Sequence, residues 1–152
     1  MTRGALAELN GFVHEFHVTN NPCYFKTAPL EEVTAWFRRL LADPTVRIWV
    51  AEEAGLPVGY AYVCLHDRPA NLLCHARRWF EIGEIGVRPG RQRSGIGRAL
   101  VEQVMAAALE QGIEDVELAS WSFNSDAQEA FRRLGFVPNM IRFGQKISRA
   151  EG

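Results

Sequence analysis

The first third of the chain carries two stretches in which apolar residues recur at steps of three and four. In the first stretch they are Leu9, Phe12, Val13 and Phe16, and in the second they are Val33, Trp36, Phe37, Leu40 and Leu41. This spacing is typical of amphipathic helices with one buried face. Pro29 before the second stretch and Pro44 after it mark where that helix begins and ends.

From residue 46 onward the apolar period changes to two, which is typical of strands. The predicted strands are 46–53, 57–66, 79–87, 113–121 and 140–147. A helix from Ile96 to near Gly112 follows the third strand, and another, with capping-box spacing at Ser125 and Gln128, ends at Gly135. The order of elements predicts an α+β protein with a mixed sheet.

The third predicted strand, 79–87, changes phase in its middle. Phe80 and Ile82 share one parity, whereas Ile85 and Val87 share the other. Either both faces of this strand are buried, as in the middle of a sheet, or one extra residue near Gly83 forms a bulge. The glycine at the phase change slightly favours the bulge, a feature found often beside active sites.

Composition and charge narrow the class of protein. The 152 residues are 47% hydrophobic and 23% charged, with a net charge of −1, which predicts a single globular domain over 1–152 and no nucleic-acid partner. No apolar run approaches the ~20 residues of a membrane span, and no signal peptide is recognisable. The three cysteines have no metal-ligand spacing, so we expect reduced thiols, a cytoplasmic protein and no metal site.

The segment RQRSGIGRAL, 91–100, combines two glycines with three arginines at the start of a predicted helix. It lacks the Gly-Lys-Ser/Thr of a phosphate-binding P-loop, and Leu100 stands where a dinucleotide fingerprint needs its third glycine. Backbone N–H groups and the positive end of a helix dipole would meet at this point, which suits a diphosphate. A tight turn with incidental arginines remains the alternative.

Two motifs in this chain resemble signatures of one superfamily. Val87, Pro89, Gln92, Gly95 and Gly97 resemble the acetyl-CoA-binding motif of GNAT N-acetyltransferases. The second motif comprises Asn124, Ala127, Leu134, Gly135 and Phe136. The resemblance runs from residue 5 to the C-terminus. It implies a GNAT-like α+β fold: a mixed, mostly antiparallel sheet of about six strands, splayed at the cofactor cleft and flanked by about four helices. Because a helix begins almost at once, we expect the N-terminal edge strand to be short or lacking.

The resemblance also implies how acetyl-CoA, the co-substrate, would be held. The strand before the loop would present its backbone to pantetheine, and the loop N–H groups would bind the pyrophosphate. The residues implied are Ile85, Gly86, Val87, Arg91, Gln92, Arg93, Ser94, Gly95, Ile96, Gly97 and Arg98. Across the cleft lie Asn124 and Ala127, with Phe131 against the pantetheine arm. The Val87 N–H would stabilise the oxyanion of the reaction.

The reaction implied is direct acetyl transfer, in a ternary complex, to a primary amine of a small molecule or peptide. Glu84 and Glu81 are the candidate bases, and water alone is the third option. Many relatives carry a tyrosine acid where this chain has Phe131, so the thiolate would be protonated by solvent, by Tyr62 or Ser122, or not at all.

The acceptor is poorly specified, and the chain could be a monomer or a homodimer. The candidate acceptor contacts are His14, His17, Tyr24, Phe25, Trp36, His66, Arg68 and His75. A catalytically silent acyl-CoA-binding sensor is the alternative function.

Overall fold

A computed structural model of the chain describes residues 3–148. The helices are α1 (Arg3–Asn20), α2 (Leu30–Ala42), α3 (Ile96–Glu110) and α4 (Ser125–Arg133), and the strands are β1 (Val46–Glu53), β2 (Leu56–Arg68), β3 (Arg77–Val87) and β4 (Asp115–Leu118). The helices and first four strands fall where the hydrophobic periods predict them.

The strands form one sheet in the order β1-β2-β3-β4. β1, β2 and β3 are antiparallel neighbours, and β4 runs parallel to β3. The α+β class and the mixed, mostly antiparallel sheet are thus confirmed, although the described residues contain four strands rather than about six. α1 begins at Arg3, the first residue that the structure describes.

Helices cover both faces of the sheet. One face packs against α1 and α2 through a core that contains Leu6, Leu9, Phe37 and Tyr60. The other face packs against α3 through Val63, Phe80, Ile82 and Val104. Because β2 and β3 lie between these two cores, side chains of both parities along them are buried.

The phase change in β3 is a bulge, as the sequence favoured. Tyr62 pairs with Glu84 and Val63 with Ile82, so Gly83 has no partner on β2. A Cβ at residue 83 would stand 2.1 Å from the Tyr62 ring, so only glycine fits there without displacing that ring. Paired residues project to the same face, and Tyr62 faces α1 and α2. The bulge therefore turns Glu84 toward α1 and away from α3.

The prediction of a last strand at 140–147 is wrong within the described residues. Residues 137–148, here called the C-terminal arm, have no helix or strand and make no backbone hydrogen bond to the body. Alternating apolar residues give the arm the pattern of a strand, but a strand also needs a partner, and the arm leaves the body without one.

Candidate active site

A cleft opens where β4 separates from β3. The two strands pair only over Trp79–Ile82 and Asp115–Leu118, whereas β3 continues to Val87 alongside β2 alone. The N–H of Arg88 donates to the carbonyl of Val58 at 2.7 Å, toward β2. Since consecutive residues of a strand direct their backbone groups to opposite sides, those of Ile85 and Val87 face the open side.

Gly86 differs from its two neighbours in this respect. It pairs with Tyr60, and its carbonyl oxygen lies 3.0 Å from the position that a Cβ on Gly59 would take. Its backbone is therefore directed to β2, so of the three predicted contacts on β3 only Ile85 and Val87 present backbone groups to the cleft.

The glycine loop leads into α3 beside this open edge. Gly95 is the N-cap residue with φ of 86°, and no side chain caps the helix, so the first N–H groups of α3 stay available. Ile96 is buried in a cluster with Val58 and Ala61, against which Ile85 and Val87 also pack. The start of α3 thus lies over the same segment of β3 that β4 leaves uncovered.

Side chains of the loop divide into two groups. The Arg91 Nε lies 3.1 Å from the Glu53 carboxylate, and Ser94 Oγ donates to the Arg91 carbonyl. Arg93 and Arg98 are exposed and have no ion pair within residues 3–148. Gln92 is exposed as well. The arrangement offers uncapped N–H groups and two uncompensated guanidinium groups to an anion.

Glu84 lies at the point where the strands part. Its carboxylate accepts hydrogen bonds from Asn10 Nδ2 at 3.0 and 3.1 Å and from the Tyr60 hydroxyl. Burial raises the pKa of Glu84 above its ordinary value of 4.5, although the hydrogen bonds from Tyr60 and Asn10 and the charges of His17 and His14 act in the opposite direction. Such a carboxyl group is a stronger base than a solvated one.

Glu81 has a different environment, although the bulge leaves it on the same face of the sheet. Its side chain is 52% exposed, and one carboxylate oxygen lies 3.8 Å from His66 Nε2. The His66 ring stacks on Trp79 at 4.8 Å between centroids, and Arg68 and Arg77 lie over that indole. His66 and Arg68 therefore belong to a cluster around Trp79, apart from the residues that surround Glu84.

A second group of aromatic side chains joins the loop after α1 to the loop after β4. We call these five residues the aromatic wall: Phe16, Tyr24, Phe25, Trp121 and Phe123. His17 touches the wall through Phe25 at 5.1 Å and Phe123 at 5.8 Å between ring centroids, and His14 touches it through Phe25 at 6.0 Å. Trp121 and Tyr24 are exposed, at 39% and 69%, so the wall is accessible to a ligand.

Backbone contacts fix the tautomer of both histidines in their neutral form. His17 Nδ1 lies 2.8 Å from the Val13 carbonyl, and His14 Nε2 lies 2.6 Å from the Lys26 carbonyl. A carbonyl oxygen only accepts, so these nitrogens carry the protons. His17 Nε2 and His14 Nδ1 are left as acceptors.

The residues of the second motif surround the start and the inner side of α4. Asn124 is the N-cap, and its Oδ1 accepts from the Ala127 N–H at 3.3 Å, so the cap is Asn124 rather than the predicted Ser125. Gln128 Nε2 instead donates to the Trp121 carbonyl. Phe131 is half-buried and meets Phe136 edge-on at 6.1 Å between centroids.

Sequence reasoning did not find four residues of the site: Asn10, Tyr60, Trp121 and Phe123. A polar residue inside an apolar helix stripe was the available signal for Asn10, because a buried amide needs a partner. Tyr60 and the two aromatic residues resemble ordinary core positions. Of the predicted acceptor contacts, Trp36 packs on Tyr62 between α2 and the sheet, and His75 is exposed in the loop before β3.

Two further properties of the described residues bear on the class of protein. No helix within residues 3–148 combines the length and the apolar character needed to cross a membrane. Over the same range, histidine, cysteine, aspartate and glutamate side chains form no group that could hold a metal ion.

Comparison with known proteins decides the family. The model of the acetyltransferase (GNAT) family matches residues 13–136, most of the chain. The chain belongs to the GNAT acetyltransferase family. Acetyl-CoA is the co-substrate of this family.

Among curated GNAT relatives, mycothiol acetyltransferase of Amycolatopsis mediterranei is 24% identical over 133 residues, 88% of this chain. That match spans 42% of the relative's length, so the chain covers less than half of it. A Bacillus halodurans protein, solved as a tetramutant, aligns with a TM-score of 0.91 at 20% identity over 97% of each chain. An aminoglycoside N-acetyltransferase solved with CoA aligns at 0.74 and 17% identity, over 96% of this chain and 91% of its own. The likenesses to solved structures establish the fold.

Proposed function

We propose that this chain transfers the acetyl group of acetyl-CoA to a primary amine of a small molecule or peptide, by direct attack of the amine in a ternary complex. One observation carries the proposal: Glu84, a partly buried carboxylate, lies where β4 leaves the edge of β3 open, beside the start of α3. We expect the reaction in the cytoplasm, since the three cysteines have no pairing pattern.

The open edge and the loop suit the chemistry of acetyl-CoA. Its pantetheine amides need backbone partners in an extended row, which Ile85 and Val87 offer. Its phosphates need N–H donors and positive charge, which the start of α3 and the free side chains of Arg93 and Arg98 offer. Bound there, acetyl-CoA would supply the thioester, and the Val87 N–H would face the developing oxyanion.

Glu84 rather than Glu81 is the base in this proposal. The Tyr60 hydroxyl and the Asn10 amide orient its carboxylate, and burial raises its pKa toward the range in which a base is effective at neutral pH. Glu81 is 52% exposed and lies beside His66, apart from the Tyr60 hydroxyl and the Asn10 amide. The amine proton would pass to Glu84 directly or through one water molecule.

No side chain is needed to protonate the departing thiolate. Phe131 has no proton to give, and burial raises the pKa of Tyr62 above its ordinary value of 10.0, which makes it a weak acid. A thiolate is a good leaving group because the pKa of a thiol is only about 8.5, and near neutral pH solvent protonates it once it has departed. Solvent protonation after transfer is therefore sufficient.

The aromatic wall suggests the character of the acceptor. It continues from His14 and His17, which lie near enough to Glu84 to interact with it electrostatically, to the exposed ring of Trp121. Exposed indole and phenol rings bind flat apolar groups by stacking and cations by their electron-rich faces. We therefore propose an acceptor in which the amine is attached to an aromatic or other apolar group.

A panel of amines tests the activity and separates it from the alternative of a silent sensor. Calorimetry with acetyl-CoA measures binding, and release of the CoA thiol with each amine measures transfer. We expect both, with faster release for arylalkylamines than for short hydrophilic amines. Binding without release from any amine would support the sensor instead, and absence of binding would contradict both functions.

A variant of the wall tests the acceptor class separately. Trp121→Ala removes an exposed ring that stacks beside Phe123, so we expect KM for an aromatic amine to rise by roughly 10-fold, with KM for acetyl-CoA unchanged. Trp79→Ala, which removes an indole from the separate cluster at His66, is the matched control. Equal effects of the two variants would contradict an acceptor site at the wall.

A further inference from the structure

The C-terminal arm, residues 137–148, exposes an unusual amount of apolar surface. Its large apolar side chains are exposed over most of their area: Val137 80%, Met140 75%, Ile141 71%, Phe143 89% and Ile147 95%. Single exposed apolar residues are common on soluble proteins, but a contiguous row of them marks an interaction surface. The exposed apolar side chains of the arm therefore indicate that it binds another protein surface.

The arm has two chemically distinct faces when extended. Ile141, Phe143 and Ile147 share one parity and form an apolar face, whereas Arg142 and Lys146 share the other parity and form a basic face. A strand of this kind fits a site that is apolar on one side of a sheet and acidic on the other.

β4 has such a site at its outer edge. It is the last strand of the sheet, and within residues 3–148 nothing pairs with its second edge. Val116 and Leu118 pack toward the α3 core, and Asp115 and Glu117 project from the other face, where both carboxylates share the guanidinium of Arg77 at 3.4 and 2.6 Å. A strand added here would find apolar neighbours on one face and carboxylates on the other, which matches both faces of the arm.

Apolar side chains beside this edge of β4 are also left uncovered. Met105, Leu109, Ile113 and Val116 line an open groove of about 560 Å³ where α3 ends and β4 begins. Leu109 is 82% exposed, and no residue of α4 is buried. A strand on the edge of β4 would extend the sheet toward both helices and cover this surface.

The arm leaves its own body without using this edge. Phe136 packs against the core beside β4, and Val137 and Pro138 then direct the chain outward. Proline holds itself and the preceding residue in extended conformations, so the exit is stiff. Fully extended, the arm reaches about 40 Å, enough for a neighbouring molecule.

We propose that the arm of one copy pairs as a strand with the free edge of β4 in a second copy, and that the exchange is reciprocal. Two identical contacts related by a two-fold axis close the assembly as a dimer and leave no arm unpaired. Each arm contributes backbone hydrogen bonds to β4, contact of Ile141, Phe143 and Ile147 with the apolar side, and ion pairs of Arg142 and Lys146 with the acidic side.

Sedimentation velocity of the full chain tests the dimer. We expect the wild type to be a dimer, and Phe143→Asp to raise the dissociation constant by at least ~100-fold, because a buried ring is replaced by a charge. Leu72→Asp is the matched control, since Leu72 is 97% exposed in the loop before β3 and should leave the dimer intact. A monomeric wild type, or equal effects of both variants, would overturn the proposal.

A zero-length carbodiimide cross-link identifies which copy the arm meets. The chain has only two lysines, Lys26 and Lys146, so amine-to-carboxylate links are few and readily assigned. In a refolded mixture of ¹⁴N- and ¹⁵N-labelled chains, we expect Lys146 to be joined to Asp115 or Glu117 in mixed-isotope pairs. Lys146→Arg keeps the charge but should abolish that link. Links within single-isotope pairs only would mean that the arm folds back on its own β4, which overturns the exchange.

Discussion

At the scale of single residues, Glu84 combines a cost in stability with a gain in basicity. Burial disfavours its charged form, while Asn10 and Tyr60 supply hydrogen bonds that keep the carboxylate oriented. A polar network of this kind inside a core is retained in proteins chiefly where it serves a function. Two experiments on one variant, Glu84→Gln, separate the cost from the gain.

Glu84→Gln should lower kcat/KM by ~10²–10⁴-fold near neutral pH, because an amide cannot accept the amine proton. The loss should shrink at alkaline pH, where the amine is already deprotonated. Glu81→Gln is the matched control and should keep the wild-type pH–rate profile. The measurement is thiol release with a fixed amine across pH, and a normal profile for Glu84→Gln would exclude it as the base.

The stability of the same variant should depend on pH with a defined sign. Because the pKa of Glu84 is raised above 4.5, the folded state holds the proton more tightly than the unfolded chain. The stabilisation of the folded state that results is complete below pH 4.5 and is lost as pH rises through the folded-state pKa of Glu84. Glu84→Gln has no such pH-dependent contribution to stability. The Tm of the variant should therefore increase relative to the Tm of the wild type as pH rises. Parallel Tm curves of the two proteins would show that the folded-state pKa is not raised.

At the scale of elements, the strand–loop–helix unit from β3 to α3 joins the open edge to the proposed phosphate site. The bulge in β3 and the loop before α3 each depend on a glycine, for different reasons: Gly83 leaves room for the Tyr62 ring, and Gly95 adopts a positive φ. Only the second lies where a diphosphate would bind.

Gly95→Glu should reduce the affinity for acetyl-CoA by ~10-fold or more, because it puts a negative charge at the helix start that would receive the phosphates. Gly112→Glu is matched in charge and in backbone, since Gly112 has φ of 66° just after the other end of α3. Calorimetry on both folded variants should find a loss for residue 95 alone. A similar loss for residue 112 would assign the effect to general strain.

Helices and strands were predictable from the sequence wherever the local spacing of apolar residues alone determined them. The glycine at the phase change favoured the bulge, and the extra residue does place Ile85 and Val87 on the same face of the sheet as Phe80 and Ile82. The alternation at 140–147 failed, since the same pattern describes a strand in a sheet and an arm that lacks its partner. In α1 the predicted stripe included Phe16, which is 43% exposed, because that end of the helix faces the aromatic wall rather than the core.

At the scale of the whole molecule, the proposed exchange of arms links folding to association. A protein whose native surface is completed by its partner gains stability from mass action, so its Tm depends on concentration. The edge of β4 and the arm are each incomplete alone.

The Tm of the wild type should therefore rise with protein concentration, whereas the Tm of Phe143→Asp should not. Calorimetric or fluorescence melts over a ~100-fold range of concentration measure this dependence, with Leu72→Asp expected to follow the wild type. A wild-type Tm that is constant over the range would indicate that the arms do not contribute to the folded state.

The bulge in β3 also has a consequence for how such chains diverge. If β3 were regular and Gly83 stood opposite Tyr62, every later side chain of β3 would lie on the other face of the sheet. Glu84 would then point to α3, and Gly83 would take its place opposite Tyr62. The chemical identity of the side chain at this site is thus set by the bulge as much as by any substitution, so relatives with and without a bulge in β3 should be compared by face and not by alignment column.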